Sequence, residues 1–164
     1  MTELELKKHI RAFGLWDWGT SAFNSVILTF VFATYITTGV ATGGLDGSDE
    51  VLQSARDSAA GTLSSTQAWA AVAIALLAPF LGTLGDTGGK RNLFLRAFTL
   101  ATGITVALMV FVEPSPAFVL VGSILMSVAV VTSELALVFV NSVLPQISTE
   151  ENRGRISGTA WALG

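Results

Sequence analysis

The segment GTLGDTGGKR, residues 82–91, joins glycines, one aspartate and two cations between two long apolar runs. These residue types could cradle a phosphate, supply one carboxylate of an intramembrane aspartyl protease, or form a tight turn. A phosphate-binding P-loop needs Gly-Lys followed by Ser or Thr, whereas Lys90 is followed by Arg91. The protease motif Gly-x-Gly-Asp does not fit the spacing from Gly82 to Asp86. The sequence therefore favours a turn over either chemistry.

Glu134 is the one ionisable residue within residues 117–144. A carboxylate near the centre of a bilayer costs about 2.5–3.5 kcal/mol on insertion scales, so it is expected to face a bundle interior or a water-filled cavity. Spacings of four and seven residues put Ser123, Ser127 and Asn141 on the same helical face as Glu134. This face predicts a site for a proton or a solute, with Glu134 and Asn141 as candidates.

Arg96 offers a structural alternative for Glu134, because buried charges are usually paired. It is the one ionisable residue within residues 92–112, and we expect it in the same half of the bilayer as Glu134. Arg96 and Glu134 could form a structural ion pair, or Glu134 could belong to a transport site. The two roles are compatible if the ion pair breaks during a conformational cycle.

A second polar face lies in residues 15–38, where Asp17, Ser21 and Asn24 recur at helical spacing. Asp17 is a transport candidate, but an acid in the first turn of a helix is also stabilised by the helix dipole. Asn24 lies deeper, where lining a cavity and bonding a neighbouring helix are equally compatible with its position.

The elements that must position these residues follow from the composition. The chain is 51% hydrophobic and 13% charged, about half the charge of a typical soluble domain. A membrane-spanning helix needs roughly 20 mainly apolar residues, and four runs meet this requirement. We predict an all-α membrane protein with four transmembrane helices at about residues 15–38, 66–84, 92–112 and 117–143, and the start of a fifth from Ile156.

Eight of the nine Lys and Arg residues fall on one side of this arrangement, and Arg56 alone falls on the other. Because cations concentrate in cytoplasmic loops, we predict an integral membrane protein with a cytoplasmic N-terminus, in the plasma (inner) membrane if the source is prokaryotic. Residues 39–65 then form an outer loop, with little structure expected beyond a short helix near residues 50–60. On the same side, Pro114 and Pro116 predict a tight turn between the third and fourth spans.

Scarce residue types exclude several classes of function. The chain has no cysteine and a single histidine, His9, so disulfides, thiolate metal sites and histidine-based catalysis are excluded within it. It also lacks the basic stripe of a nucleic-acid-binding protein. We therefore expect no enzymatic activity, no catalytic residues, no metal and no cofactor, and a lipid bilayer as a main partner.

The segment between the second and third spans resembles a signature of the major facilitator superfamily, G-x-x-x-D-[RK]-x-G-[RK]-[RK]. Thr87 departs from it, since a cation is usual at that position. In that superfamily the motif acts as a latch whose pairing favours the outward-facing state. The resemblance implies this role for the matching residues, which are Gly82, Asp86, Gly89, Lys90 and Arg91.

Two longer stretches resemble the Atg22-like vacuole effluxer branch of that superfamily. WDWGTSAFNS begins at Trp16, and SELALVFVNSVLPQISTEENRGRISG runs from Ser133 to Gly158. Matching features include an Asp-Trp pair followed by Ser-Ala-Phe, a Glu-Leu-Ala run ending in Asn and Leu-Pro, and an Arg-Gly-Arg-Ile-Ser-Gly loop. The resemblance implies efflux of a small solute, with amino acids as the substrate class.

We therefore predict a secondary active transporter that works by alternating access, with protons as the candidate coupling ion. Members of the superfamily have about twelve spans in two halves, so we expect this chain to be part of an N-terminal half and to need the missing C-terminal spans as partners. The alternative is a small integral membrane subunit or scaffold that transports nothing.

Overall fold

The computed structural model describes residues 3–87, 90–143 and 147–163; the side chains of residues 3, 84–87, 160, 161 and 163 lie outside that description. Within these ranges all regular structure is helical and there is no strand. The prediction of an all-α protein is confirmed.

The first span begins as α1 (Glu3–Ala22) and continues as two π-helical segments, Phe23–Phe32 and Tyr35–Val40. A π-helix closes its hydrogen bonds between residues five apart. Its buried residues recur every four or five positions, which fits this winding better than the 3.6-residue period of an α-helix. The winding keeps one apolar face against the bundle, made of Phe23, Leu28, Phe32, Ile36 and Val40.

The second helix, α2, runs without a break over Asp49–Thr87. We expected residues 39–65 to be an outer loop with little structure beyond a short helix near residues 50–60. A helix does cover residues 50–60, but it is the start of α2, so the expectation of little structure is wrong from residue 49 onward. Two acids occupy the first turn of α2, where the helix dipole favours negative charge. Alanine, leucine, glutamate and glutamine in the first turns also have high helix propensity. Ala59 is buried, so tertiary packing adds to this local preference.

The third and fourth helices form a pair joined by a short turn. α3 (Arg91–Leu108) ends in a 3₁₀ turn (Met109–Phe111), and a second 3₁₀ turn (Pro116–Phe118) leads into α4 (Val119–Asn141). Ser115 between them is extended, as the residue before a proline is expected to be. The proline-directed turn that the sequence predicts is confirmed.

The last described helix, α5 (Arg153–Leu163), begins three residues before the predicted start of the fifth span at Ile156. The Asn152 side-chain oxygen accepts a hydrogen bond from the Thr149 backbone N–H at 2.7 Å and closes the turn that precedes the helix. α5 packs against α1, so the first and last parts of the chain are neighbours.

Four helical stretches are long and apolar enough to cross a bilayer: Leu4–Val40, Asp49–Thr83, Arg91–Phe111 and Pro116–Asn141. Large apolar side chains on them are exposed, for example Trp69, Leu76 and Val110. Extensive apolar exposure of this kind is expected where the surroundings are lipid rather than water. The chain is an integral membrane protein with four candidate spanning helices, as predicted.

The two ends of the bundle differ in chemistry. At the end that we call the proline end, the first span packs against the turn between α3 and α4. There a Cβ on Gly43 would overlap the backbone carbonyl of Pro114. The opposite end, which we call the cationic end, holds the starts of α1, α3 and α5.

Candidate functional site

A pocket of about 360 Å³ lies between the first span, α3 and α4. We call it the tryptophan pocket, because the Trp16 indole is part of its polar lining. Its volume falls within the range of small-molecule sites, about 300–1,000 Å³. Its apolar lining includes Phe23, Ile27 and Val106, and its polar lining consists of Trp16, Thr20, Thr99, Thr102 and Ser133.

Two hydrogen bonds between helices hold the walls of the pocket. The Trp16 indole Nε1–H donates to Thr99 Oγ1 at 3.1 Å and ties α1 to α3. Thr102 Oγ1 lies 2.9 Å from Thr132 Oγ1 and ties α3 to α4. Hydrogen bonds of this type contribute about 0.6 kcal/mol each in membrane proteins, so they connect the helices weakly enough for the helices to separate during a conformational change.

Three of the four hydroxyls in the described lining donate to carbonyls of their own helix, and one of them is Thr102 Oγ1, which donates to the Phe98 carbonyl at 2.9 Å. Thr20 Oγ1 donates to the Trp16 carbonyl at 2.8 Å, and Ser133 Oγ donates to the Val130 carbonyl at 3.1 Å. A hydroxyl oxygen that donates once still has lone pairs to accept with. The pocket therefore offers acceptors and apolar surface, and no charged residue is among its described lining residues.

Asp17 follows Trp16 in α1 and is half-buried. Its Oδ2 atom is buried and has no hydrogen-bond partner among the described residues. We expected Asp17 in the first turn of a helix, and this is wrong: α1 begins at Glu3, so Asp17 lies about four turns along it and the helix dipole does not account for the acid. A buried carboxylate oxygen without a partner is costly. Asp17 does not line the tryptophan pocket.

Glu134 follows the pocket residue Ser133 in α4 and is half-buried. Arg96, the structural partner that we considered, is exposed on α3, and in the described ranges no ion pair joins the two. Ser123 and Ser127, on the face predicted for Glu134, are buried, and their hydroxyls have no hydrogen-bond partner in the described ranges. α4 thus carries two buried hydroxyls, four residues apart, that form no hydrogen bond with the described helices.

The two asparagine candidates lie in different environments. Asn24 is half-buried in the π-helical part of the first span, and its backbone carbonyl accepts a hydrogen bond from Thr29 Oγ1 at 2.9 Å. Asn141 is the last residue of α4 and is exposed. No described contact joins either amide to Glu134.

The structure describes part of the loop motif. Gly82 lies on α2, and a Cβ there would meet Val138 Cγ1 of α4 at 3.8 Å, an ordinary contact distance. Lys90 is exposed before α3. Arg91 Nη1 donates to the Ser142 carbonyl at 2.9 Å and so places a cation at the C-terminal end of α4. The Asp86 side chain and Gly89 lie outside the described residues.

Sequence patterns missed the residues that build the pocket walls. Trp16 suggests an interfacial anchor, and no periodicity pairs it with Thr99, which lies 83 residues away. An aromatic cluster between α3 and α4 was missed for the same reason. Phe139 stacks on Phe94 with ring centroids 5.3 Å apart and on Phe98 at 6.0 Å. The only sequence signal was a pair of phenylalanines four residues apart.

The apolar spans, the pocket between them and the carboxylates within them define an α-helical integral membrane protein. Residues 5–158 match the family described as "Vacuole effluxer Atg22 like", and the chain belongs to that family, as predicted. It is also 28% identical over 150 residues to the "Uncharacterized MFS-type transporter YxiO" of Bacillus subtilis (strain 168).

That alignment covers 92% of this chain and 32% of the relative. The chain thus spans about a third of the length of the curated relative that it matches. No solved structure matches it significantly.

Proposed function

We propose that this chain forms part of a secondary active transporter that moves a small solute by alternating access. Its family and its MFS-type relative support transport in general. The observation that carries the proposal is Glu134, a half-buried carboxylate within a spanning helix that has no ion pair in the described ranges. Ionisable residues in spans mark ion or substrate routes unless they are structurally paired.

Protons are the proposed coupling ion. Ser123 and Ser127 precede Glu134 on the same helix with buried hydroxyls that lack a described partner. Buried polar groups of this kind are commonly satisfied by water. Water along this row would connect Glu134 to the interior of the bundle and let it gain and lose a proton as the transporter changes state.

The tryptophan pocket is the proposed solute site within this part of the transporter. Its mixture of apolar surface and hydroxyl acceptors suits a small amphipathic solute that brings its own donors. Amino acids are the class to test first, since their ammonium group is such a donor. Asp17 would balance that positive charge from the neighbouring turn, and Asn24 and Asn141 are proposed as polar lining reached in other states.

The proposed orientation puts the cationic end in the cytoplasm, in agreement with the distribution of Lys and Arg residues. The location is the plasma (inner) membrane if the source is prokaryotic. The Arg91–Ser142 contact would then stabilise one arrangement of the cytoplasmic ends of α3 and α4. This contact supports the latch role proposed for the loop motif.

The test is uptake by the complete gene product that contains this chain, purified and reconstituted in liposomes. Vesicles preloaded with an unlabelled mixture of the twenty common amino acids are diluted into buffer with one labelled amino acid at a time. A transporter of this class should take up at least one labelled amino acid by exchange, at a rate well above that of empty liposomes. A correctly folded and inserted protein that exchanges none would contradict the proposed substrate class. If it also carries no proton flux with any small solute, the non-transporting scaffold is favoured.

A further inference from the structure

A second and larger cavity, of about 910 Å³, opens between α1 and α5 at the cationic end. We call it the basic cleft. α1 contributes Arg11, Leu15 and Trp18, and α5 contributes Arg155 and Ile156. Among the described lining residues it shares only Leu15 with the tryptophan pocket, so it is a separate feature of the fold.

The basic cleft combines cations and apolar residues along its length. On α1, its lining includes Leu6, Ile10, Leu15 and Trp18 beside Lys7 and Arg11. On α5, Arg155 is followed by Ile156 and, at the next turn, Thr159. Both helices begin at the cationic end, and both contribute cations to the lining of the cleft. Tryptophan favours the level of lipid headgroups, which places Trp18 and the cleft near the membrane surface.

The charge in the cleft has one sign. Arg11, Arg155 and Lys7 line it, and no acidic residue is among its described lining residues. Arg11 and Arg155 are exposed, and in the part of the chain that the structure describes neither forms an ion pair. Two guanidinium groups over an apolar floor complement a molecule with an anionic head and an apolar tail.

We propose that the basic cleft binds an anionic phospholipid, with its phosphate between Arg11 and Arg155 and an acyl chain along Leu15, Trp18 and Ile156. Arginine suits this task because its planar fork donates to two phosphate oxygens at once. The exposed surfaces of Leu15 and Trp18, 66% and 56%, provide the apolar contact for the chain. The proposal concerns binding alone and does not depend on transport.

Tryptophan quenching by brominated lipid tests the proposal, since Trp18 lies in the cleft. In the complete gene product, every tryptophan other than Trp18 is replaced by phenylalanine; in this chain these are Trp16, Trp69 and Trp161. The protein is reconstituted in phosphatidylcholine with a small fraction of dibrominated phosphatidylglycerol or dibrominated phosphatidylcholine. Each cation near an anionic lipid adds about fivefold to its association, as estimated for basic residues at membranes. The relative association constant for phosphatidylglycerol should therefore exceed that for phosphatidylcholine by at least fivefold.

The double variant Arg11→Gln/Arg155→Gln should bring this ratio close to one. Lys8→Gln/Arg153→Gln is the matched control, because it removes two charges from the same two helices at residues that do not line the cleft. The control should keep the ratio. Circular dichroism and quenching by brominated phosphatidylcholine identify any variant that fails to fold or insert.

As a second measurement, native mass spectrometry of the protein with all its tryptophans should show a retained phosphatidylglycerol that the double variant loses. Equal ratios in the two double variants would overturn the proposal, because they would indicate a general surface charge effect. Loss of phosphatidylglycerol quenching on addition of inorganic phosphate at constant ionic strength would also overturn it, because the cleft would then bind a free anion.

Discussion

The Tyr35 hydroxyl donates a hydrogen bond to the Val112 backbone carbonyl at 2.8 Å, across 77 residues of sequence. It joins the first span to the end of α3 at the proline end. Val112 is 4% exposed, and Ile36 and Val112 both approach Gly122 of α4, where a Cβ would lie 3.3–3.4 Å from their side chains. Three helices therefore meet closely at this end, and they should move as one unit.

Tyr35→Phe should remove this hydrogen bond and keep the ring, which packs against Phe32 at a centroid distance of 6.1 Å. The expected loss is about 1 kcal/mol of unfolding free energy, seen as a Tm lowered by a few degrees in detergent. Thr42→Val is the control, since among the described residues its hydroxyl bonds to the Thr38 carbonyl one turn earlier in the same span and to no other helix. Equal Tm values for the Tyr35 variant and the parent protein would refute the contribution of this contact.

Gly43→Ala should destabilise the same end, because the added methyl group would overlap the Pro114 carbonyl and also lie 2.9 Å from the Gly39 carbonyl. We expect a loss of roughly 1–3 kcal/mol, the usual cost of overpacking. Gly61→Ala is the matched control: nothing lies within 4 Å of its added methyl group, and alanine in a helix gains up to about 1 kcal/mol over glycine. The Tm should therefore fall for Gly43→Ala and rise for Gly61→Ala. A shift of both Tm values in the same direction would count against the close approach of Gly43 to the Pro114 carbonyl.

Arg91→Gln should weaken the join between α3 and α4 at the cationic end. The guanidinium donates to the Ser142 carbonyl, close to the last turn of α4, where the helix dipole favours a cation. We expect a loss of about 1–2 kcal/mol, as for hydrogen bonds to charged groups. Lys90→Gln removes the adjacent exposed cation and should change the Tm little. If both variants lose the same stability, general charge rather than this contact is responsible.

The proposed orientation is testable by cysteine labelling of the complete gene product. This chain has no native cysteine, and cysteines outside it are replaced by serine. A membrane-impermeant maleimide added to intact cells should label Ser48→Cys, which lies before α2 on the proposed outer side. His9 is exposed on α1 at the cationic end. The His9→Cys variant should therefore react only after the membrane is opened. The reverse pattern would invert the orientation and place the cationic end outside.

The spanning helices were predictable because each leaves a long run almost free of charge, and a helix across a bilayer is the structure that such a run most readily forms. The first part of α2 was predicted only as a short helix near residues 50–60, because the acids and serines of this segment are typical of a loop. Their preference for helix emerges only when the buried packing of Ala59 and the favourable first turn are added. The composition of residues 49–65 is compatible with both loop and helix, and tertiary contacts therefore determine that this segment is helical.

The candidate site was predictable only in part. Glu134 and Asp17 stand out in sequence because a charge within an apolar run has a known cost. The wall contacts Trp16–Thr99 and Phe94–Phe139 join residues far apart in sequence, and a single sequence carries no signal for such pairs. The absence of an Arg96–Glu134 ion pair in the described ranges likewise depends on side-chain direction, which helical spacing alone does not fix.

The central claim is that Glu134 carries the coupling proton. Its most direct test is solute-driven proton flux in liposomes that hold the complete gene product and the pH-sensitive dye pyranine, using a solute identified by exchange. Glu134→Gln keeps the size of the side chain and removes its charge. Glu113→Gln is the matched control, since Glu113 is an exposed carboxylate in the turn before α4.

We predict solute-driven acidification or alkalinisation for the parent protein and for Glu113→Gln, and none above empty liposomes for Glu134→Gln, with all three proteins inserted to the same extent. Proton flux in Glu134→Gln equal to that of the parent protein would contradict a coupling role for this carboxylate.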